Sequence, residues 1–351
     1  MSYITKPRVI HPKSPRNDLK LTVRDYEGGM STLCAGCGHD SVTSAIVQAA
    51  FELNIPPHRM AKLSGIGCSS KTPAYFMRQS HGFNTVHGRM PSVATGANAA
   101  NGSLKYIGVS GDGDTLSIGL GQFCHALRRN VDMLYVIENN GVYGLTKGQF
   151  SASADLGSTA KNGFANNQPP IDPCRMAISM GAGFVARSFS GDKEQLVPLL
   201  KAGLVHKGFA VIDVISPCVT FNDHEGSTKS YAYTRQHFHP AIQADYVPPS
   251  QEIVAQYNEG DAMPVEMHDG SKIILRKVDT DYDPTDRASV YAYLERHQAA
   301  GEIVTGMLYY NDSLLEMQDL SNIVEQPLST LDYSQLCPGD DVLQSLQDRY
   351  R

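Results

Sequence analysis

Residues 106–140 read YIGVSGDGDTLSIGLGQFCHALRRNVDMLYVIENN, and this stretch predicts the class of fold. Two apolar runs in this stretch, 106–110 and 133–137, predict neighbouring parallel strands joined by a crossover helix. A glycine turn containing Asp112 follows the first run, and a pair of asparagines ending at Asn140 follows the second. Because open α/β sheets bind ligands at the carboxyl ends of their strands, we expect both turns at one site.

The residue types in these two turns predict a metal and phosphate site. The Asp112 carboxylate, the Asn140 amide and a nearby backbone carbonyl, that of Val142, form an oxygen cage for Mg²⁺ with positions left for diphosphate oxygens. Gly113 lets the backbone come close to a phosphate, and the N-terminus of the helix predicted over Thr115 to Asn130 favours the anion.

Strands and helices alternate on both sides of this unit, which predicts an α/β fold with a mostly parallel sheet and helices on both faces. The further predicted helices cover Asp40 to Leu53, Ser92 to Gly102, Asp172 to Gly181, Lys193 to His206 and Asp286 to Ala300. The further predicted strands cover Met60 to Leu63, Phe184 to Phe189 and Phe209 to Ile215, with a hairpin from Val265 to Lys277 around Asp269-Gly270.

Three regions are predicted along the 351 residues. Residues 1–30 are charged and contain several prolines, which indicates an extended arm packed on a partner. Residues 31–240 form the ligand-binding domain, in which the polar segment 150–170 is expected to be a mobile loop over the site. Residues 241–351 form a C-terminal extension, whose acidic end with scattered leucines is typical of a subunit interface.

Bulk composition excludes several classes of protein. A net charge of −6 and a pI near 6.0 argue against a nucleic-acid partner. No apolar stretch is long enough to span a membrane, and the basic N-terminus lacks the apolar core of a secretory signal. A cytoplasmic location follows as the default, where the seven cysteines are expected to be thiols or metal ligands rather than disulfides.

Four cysteines stand at loop positions near the predicted site: Cys34, Cys37, Cys68 and Cys218. Four thiolates from such loops can bind a tetrahedral zinc ion or a [4Fe–4S] cluster, and the flanking glycines favour the cluster because backbone N–H groups can then reach sulfide. The alternative is a C-x-x-C redox pair with two ordinary buried cysteines. The remaining three cysteines are expected to be structural: Cys124, Cys174 and Cys337.

The glycine–aspartate motif and the asparagine pair, joined to these four cysteines, resemble the β subunits of 2-oxoacid:ferredoxin oxidoreductases over roughly residues 30–235, and are most similar to the 2-oxoglutarate type. The resemblance implies a thiamine diphosphate-binding fold, one [4Fe–4S] cluster and Mg²⁺. It implies CoA-dependent oxidative decarboxylation to acyl-CoA and CO₂, with electrons passed through the cluster to ferredoxin, or the reverse carboxylation.

The resemblance also implies roles for individual residues. The Mg²⁺ ligands are Asp112, Asn140 and the carbonyl of Val142, and the cluster ligands are the four cysteines named above. The cofactor-binding residues are Cys68, Ser69, His87, Gly88, Arg89, Gly111, Gly113, Asp114, Tyr143, Gly144, Leu145 and Thr146. Lys71 and Lys147, with Leu145 beside them, face the substrate, and a cationic side chain that pairs with a distal carboxylate favours 2-oxoglutarate. Arg89 either binds phosphate or braces its loop.

The resemblance implies that the chain works with partners. An α subunit, in an α2β2 complex, supplies the glutamate that contacts the aminopyrimidine ring, so the chain alone is expected to be inactive. Coenzyme A, a 2-oxoacid and ferredoxin complete the reaction. The alternatives are a pyruvate:ferredoxin oxidoreductase, a non-redox thiamine diphosphate decarboxylase, and an interaction module stabilised by zinc.

Overall fold

The computed structural model describes residues 10–159, 163–222, 260–266, 272–276, 279 and 282–351. Its strands are β1 (Met60–Ser64), β2 (His81–Asn84), β3 (Lys105–Gly111), β4 (Met133–Asn139), β5 (Val142–Tyr143), β6 (Gln149–Phe150), β7 (Phe184–Phe189), β8 (Phe209–Ile215), β9 (Ala262–Glu266), β10 (Lys272–Arg276), β11 (Ile303–Val304) and β12 (Gly306–Tyr310).

The main sheet has seven strands in the order β12-β7-β8-β4-β3-β1-β2. All neighbours are parallel except β12, which runs antiparallel to β7, so the predicted mostly parallel sheet is confirmed. The chain leaves β1 for β2 on one side and returns to β3 on the other. This reversal creates the crevice at which open α/β sheets bind ligands.

Helices cover both faces of this sheet. One face carries α1 (Gly38–Glu52) and α5 (Lys193–Val205). The other carries α2 (Met90–Ala100), α3 (Leu120–Arg129), α4 (Pro173–Ser179) and the later helix Arg287–Ala299. Every residue of β4 and β8 is buried, as expected of central parallel strands whose two faces both pack on helices.

Short elements complete the fold. They are the 3₁₀ turns Val23–Tyr26, Pro57–Arg59, Ser69–Ala74 and Leu328–Thr330, the π-helical turn Gly113–Ile118, and the helices Met317–Ser321, Tyr333–Leu336 and Asp340–Asp348. A small sheet pairs β9 with β10 in antiparallel and β10 with β11 in parallel. The predicted hairpin is therefore confirmed in its two strands, although its turn lies outside the described residues.

The crossover helix differs from its prediction. It begins with a π-helical turn and becomes an α-helix only at Leu120, where we expected one helix from Thr115. Gly119 lies at the junction of the π-helical turn and the α-helix, where a side chain would not fit. A Cβ there would lie 2.8 Å from the carbonyl oxygen of Asp114 and 3.0 Å from the Cα of Gly88. The close approach of two glycine loops thus reshapes the helix start, and π turns often mark functional sites.

Helix α1 begins two residues before the Asp40 cap that we predicted, with Cys37 as its N-cap. Asp40 instead lies in the first turn, where a carboxylate still interacts favourably with the helix dipole. The early start depends on Gly38, because a Cβ there would lie 2.6 Å from the hydroxyl oxygens of both Ser190 and Ser216.

Parts of both terminal regions pack against the rest of the chain, and the predicted contacts of these regions with a partner stay predictions. The described part of the N-terminal arm packs on its own chain: the Asn17 amide donates to the carbonyl of Phe51, and Tyr26 is buried. Part of the C-terminal extension enters the core, since Leu294 and Leu308 are buried with it. Residues 324–351 have no buried side chain. The predicted subunit interface stays a prediction for that segment.

The three cysteines expected to be structural lie in different environments. Cys174 is buried, as predicted, and Cys124 is half-buried beside the buried Phe123. Cys337 is exposed in the C-terminal segment, and the prediction of a structural role for it stays a prediction. Among the described helices, none combines the length and apolar character that a membrane span requires.

The buried Lys62 on β1 gives a test of this packing. Its ammonium donates to the carbonyls of Phe76 (2.6 Å) and Met77 (3.0 Å), and burial lowers its pKa to about 8. Above that pH the folded chain releases the proton, whereas an unfolded lysine keeps it to about pH 10.4. The free energy of unfolding should therefore rise with pH between these values by roughly 1 to 3 kcal/mol relative to Lys62→Met. Urea unfolding of both proteins at several pH values measures this, and a constant difference would contradict the assignment.

Candidate functional site

The Asp112 carboxylate lies buried at the carboxyl end of β3 and is surrounded by hydrogen-bond donors. Its Oδ2 accepts from the Gly141 N–H at 3.0 Å, from the Ser153 hydroxyl at 2.6 Å and from the Ser151 hydroxyl. Its Oδ1 accepts from the backbone N–H of Asn140 at 3.3 Å. The turn after β4 therefore wraps around this carboxylate, as the strand pattern predicted.

Asn140 is fixed in the same turn. Its amide oxygen accepts from the Val142 N–H at 3.1 Å, and its carbonyl accepts from the Asn222 side chain at 2.8 Å. Asp112, Asn140 and Val142 thus lie together, and their carboxylate, amide and carbonyl oxygens are hard ligands of the kind that Mg²⁺ prefers. The donor set fits the predicted metal.

Asp114 joins three of the predicted loops. Its carboxylate accepts from the N–H groups of Gly88 at 2.7 Å and Ile66 at 3.2 Å, and from the Ser110 hydroxyl at 2.9 Å. The loops after β1, β2 and β3 therefore meet at one buried side chain. These three hydrogen bonds hold the loops together around the Asp114 carboxylate, and its predicted contact with the cofactor stays a prediction.

Glycines stand where the walls of the site touch. The Tyr143 ring covers Gly113, and its hydroxyl donates to the Gly113 carbonyl at 2.9 Å. A Cβ on Gly113 would lie 2.6 Å from that ring, and a Cβ on Gly111 would lie 3.1 Å from the Ser69 hydroxyl. Ser69, Gly111, Gly113 and Tyr143, all predicted to bind the cofactor, therefore form one continuous wall.

Three of the four cysteines proposed from the sequence lie close to this wall. A Cβ on Gly144 would lie 3.4 Å from the Cys68 sulfur and 3.6 Å from the Cys218 sulfur, so both sulfurs face this glycine. The Thr220 hydroxyl lies 3.5 Å from the Cys34 sulfur, which places Cys34 against the loop that carries Cys218. Within the described ranges, no three His, Cys, Asp or Glu side chains converge on a single ion position.

Opposing effects act on these thiols. Burial raises the pKa of Cys37 and, together with Cys218, that of Cys68, whereas the nearby Lys71 ammonium lowers the pKa of Cys68. Burial also raises the pKa of Cys218, while N–H groups of Thr220 and Phe221 directed at its sulfur lower it. Backbone donors of this kind stabilise a thiolate and fit sulfur ligation of a metal centre.

The predicted substrate-facing residues lie at the open side of the site. Leu145 and Lys147 are exposed on the turn that follows Tyr143, and Lys147 adopts a positive φ of 80°. The Lys71 ammonium lies 3.5 Å from the Thr32 carbonyl, close to the cysteine loops. His87 and Arg89 are exposed beside the buried Gly88. These side chains can reach a ligand without displacing the core.

Sequence reasoning missed a buried polar group under the cysteines. The Glu138 carboxylate accepts from the Thr72 hydroxyl at 3.0 Å, and His39 Nδ1 lies 2.6 Å from the Ser216 hydroxyl. Burial raises the pKa of Glu138 well above its usual value and lowers that of His39 to about 4, which favours the neutral form of both. The available signal was an acid at the end of an otherwise apolar strand.

The predicted mobile loop also has a different character at its start. Ser151, Ser153 and Ala154 are buried, and the two hydroxyls contact Asp112. The small polar residues that suggested mobility are instead part of the site. The sequence could not predict these contacts with Asp112, because they join residues about forty positions apart.

Comparison with protein-family models places the site in a known class. The model described as "Thiamine pyrophosphate enzyme, C-terminal TPP binding domain" matches residues 65–214. This range includes β3, β4 and the turns that carry Asp112 and Asn140. The fold and the predicted thiamine diphosphate-binding domain are thereby confirmed.

Curated relatives narrow the class. The protein of Saccharolobus solfataricus named 2-oxoacid:ferredoxin oxidoreductase subunit beta is 45% identical over 199 residues, which cover 56% of this chain and 65% of that protein. The Methanocaldococcus jannaschii protein named 2-oxoglutarate synthase subunit KorB is 40% identical, over 54% of this chain and 69% of that protein. The chain belongs to the β-subunit family of 2-oxoacid:ferredoxin oxidoreductases.

A solved structure agrees with this family. The 2-oxoglutarate:ferredoxin oxidoreductase from Magnetococcus marinus, with 2-oxoglutarate, coenzyme A and succinyl-CoA bound, is similar to this β-subunit family member with a TM-score of 0.72 and 29% identity, over 93% of this chain and 96% of that chain. In sequence, the chain matches 65%, 63% and 60% of the length of three curated β subunits, less than two thirds of each.

The contact between Gly113 and Tyr143 gives a test of the cofactor wall in this family member. Gly113→Ala places a Cβ where the Tyr143 ring lies, so the ring must move and its hydrogen bond must break. We expect thiamine diphosphate affinity, measured by equilibrium dialysis, to fall about tenfold or more. Gly121→Ala is the matched control, because no atom beyond its chain neighbours and the adjacent backbone of its own helix lies within 4 Å of the added Cβ. Equal affinity of the two variants would contradict the geometry.

Proposed function

We propose that this chain is the β subunit of a CoA-dependent 2-oxoacid:ferredoxin oxidoreductase. The reaction is oxidative decarboxylation of the 2-oxoacid to acyl-CoA and CO₂ with electrons passed to ferredoxin, or the reverse carboxylation. The substrate that we propose is 2-oxoglutarate. The names of the M. jannaschii relative and of the M. marinus structure support that choice.

One observation carries the proposal: the segment from Asn140 to Gly144 contacts the proposed metal ligand at one end and two thiols at the other. Asn140 lies against Asp112, and Gly144 lies against the sulfurs of Cys68 and Cys218. A redox decarboxylase needs its carbon chemistry and its electron acceptor close together. A non-redox thiamine diphosphate decarboxylase has no use for thiols at this position.

For the diphosphate end, we propose that Asp112, Asn140 and the Val142 carbonyl bind Mg²⁺. Thiamine diphosphate, when bound, supplies the nucleophilic carbon and electron sink for decarboxylation. The residues of this chain hold and orient it. Gly113 lets the backbone approach the phosphate at the start of the π-helical turn, and Tyr143 fixes that backbone through its hydroxyl.

For the sulfur end, we propose that Cys34, Cys37, Cys68 and Cys218 bind one [4Fe–4S] cluster. The N–H groups directed at Cys218 and the ammonium of Lys71 near Cys68 stabilise negative charge on sulfur. Burial raises the pKa of the Glu138 carboxyl beneath them well above its usual value, which disfavours a negative charge there.

We propose an α subunit, in an α2β2 complex, that covers the open side of the site, with coenzyme A and ferredoxin as further partners and the cytoplasm as the location. Large apolar side chains stand exposed there: Val86 is 70% exposed, Leu145 55% and Ile118 48%. Exposed apolar side chains on the loops of a binding site are typical of an interface with a protein partner.

Loss of a proposed cluster ligand should remove iron without unfolding the chain. Cys218→Ser leaves an oxygen where a thiolate is needed, so we expect iron and sulfide content and the EPR signal of the reduced protein to be lost or greatly decreased. Cys337→Ser, at an exposed position, is the matched control. Asp112→Ala should show the opposite pattern, with iron retained and thiamine diphosphate lost. An unchanged signal in Cys218→Ser would remove that residue from the ligand set.

The substrate is tested with the complete complex. We expect CoA-dependent ferredoxin reduction to be faster with 2-oxoglutarate than with pyruvate, because Lys71 or Lys147 can pair with the distal carboxylate. Lys71→Ala should decrease kcat/KM for 2-oxoglutarate about tenfold or more and that for pyruvate much less. Lys147→Ala tests the second lysine in the same way. Equal decreases of kcat/KM for both acids would show that the lysine does not bind the distal carboxylate.

A further inference from the structure

A continuous series of buried polar side chains runs from the Asp112 carboxylate into the fold. The Ser153 hydroxyl lies 2.6 Å from Asp112 Oδ2 and 3.0 Å from the Asn139 amide oxygen. The Asn139 amide nitrogen donates to Asp213 Oδ1 at 3.0 Å. The Asp213 Oδ2 accepts from Arg187 Nε at 2.9 Å. Three elements, β4, β7 and β8, thus connect to the proposed metal ligand.

The far end of this series is anchored at a helix terminus. Arg187 Nη2 donates to Asp172 Oδ1 at 2.6 Å, and Asp172 caps α4 by accepting from the N–H groups of Cys174 and Arg175. The Arg187 guanidinium therefore lies between two carboxylates and cannot rotate without breaking an ion pair. This fixes Asp213, and through Asp213 it fixes which way the Asn139 amide points.

The orientation of Asn139 matters because Ser153 has a single hydroxyl hydrogen. That hydroxyl has the carboxylate of Asp112, the amide oxygen of Asn139 and the hydroxyl of Ser151 as oxygen neighbours. With the Asn139 nitrogen turned to Asp213, its oxygen must face Ser153. The hydrogen can then serve either Asp112 or Asn139, so Asn139 offers an alternative acceptor when Asp112 turns its electron density to a cation.

We propose that Ser153, Asn139 and Asp213 are positioning residues that set the divalent-cation affinity of the Asp112 turn. This inference rests on the proposed Mg²⁺ site and adds to it three side chains that do not touch the metal. Partners that orient a metal-binding carboxylate commonly change metal affinity by about tenfold or more when removed. The loop that begins at Ser151 is thereby linked to metal binding.

The surroundings argue against a purely structural role. A cavity of about 300 Å³ is bordered by Ser153, Asn139, Asp213 and Arg187. Side chains that border a cavity contribute less packing than those enclosed on all sides, so their truncation is tolerated better. Asp213→Asn also leaves the Arg187 guanidinium paired with the Asp172 carboxylate, so the cation is not left without a partner.

The test uses the full chain purified in its native complex and freed of divalent cations by anaerobic dialysis against a chelator. Two readouts are followed: the Mg²⁺ concentration that half-saturates thiamine diphosphate binding, and the EPR titration of Mn²⁺, which shares the preference of Mg²⁺ for oxygen ligands. Thermal unfolding without cation reports stability separately. We expect Ser153→Ala and Asp213→Asn each to raise the half-saturating concentration about tenfold.

Matched variants separate positioning from general damage. Ser158→Ala removes an equally buried hydroxyl of the same loop that donates to the Asp155 carbonyl, and it should leave both readouts unchanged. Asp132→Asn is the matched variant for Asp213→Asn. It removes a carboxylate at the opposite end of β4, where Asp132 accepts from the Gly208 N–H. Ser153→Thr keeps the hydroxyl, has the bordering cavity for its methyl group, and should restore the affinity lost in Ser153→Ala.

Each outcome has a distinct meaning. A shifted cation requirement in Ser153→Ala and Asp213→Asn, with unfolding temperatures near the parent and rescue by Ser153→Thr, supports the inference. Parent-like cation titrations in both variants overturn it while leaving the proposed function intact. Absence of any Mg²⁺-dependent thiamine diphosphate binding in the parent complex would instead overturn the proposed metal site itself.

Discussion

The register of three parallel strands is the constraint on which the site depends. Gly111 pairs with Glu138, and Asn139 pairs with Ile215, so β3, β4 and β8 end at one level. The turns that follow carry Asp112, Asn140 and Cys218. A shift of one residue in either pairing would turn the following side chain to the other face of the sheet. The oxygen atoms of Asp112 and Asn140 can lie close to the Cys218 thiol only because this register is fixed.

Local sequence was sufficient to predict five of the seven strands of this sheet to within two residues, because runs such as β4 and β8 are continuously apolar and differ clearly from the turns around them. It did not predict β2, whose four residues are all exposed and carry no apolar pattern. It was not sufficient for the start of the crossover helix. That start depends on the contact of Gly119 with Gly88, about thirty residues away in sequence. Strand β12 was missed for a similar reason, since it is short, irregular in register and paired with the distant β7.

The residues of the site also fall into those that the sequence predicted and those that it did not. Asp112, Asn140 and the four cysteines could be proposed as site residues because each belongs to a short motif with its own chemistry. Ser151 and Ser153 were not found, because isolated serines in a polar segment carry no such signal. Asp213 carried one that was not used, namely a charged residue within a run of buried apolar neighbours. A buried charge requires a partner, and its presence in a central strand therefore points to a polar network.

The glycines of the motif are also needed for close packing within the chain. We expected Gly113 to be small so that a phosphate could approach, yet the atoms closest to its missing Cβ belong to Tyr143 of the same chain. The same is true of Gly111 with Ser69, and of Gly144 with Cys68 and Cys218. Each glycine lies where two walls of the site come into contact. Removing a side chain at these points lets β3, β4 and the cysteine loops approach closely enough for one small region to present both hard oxygen and soft sulfur ligands.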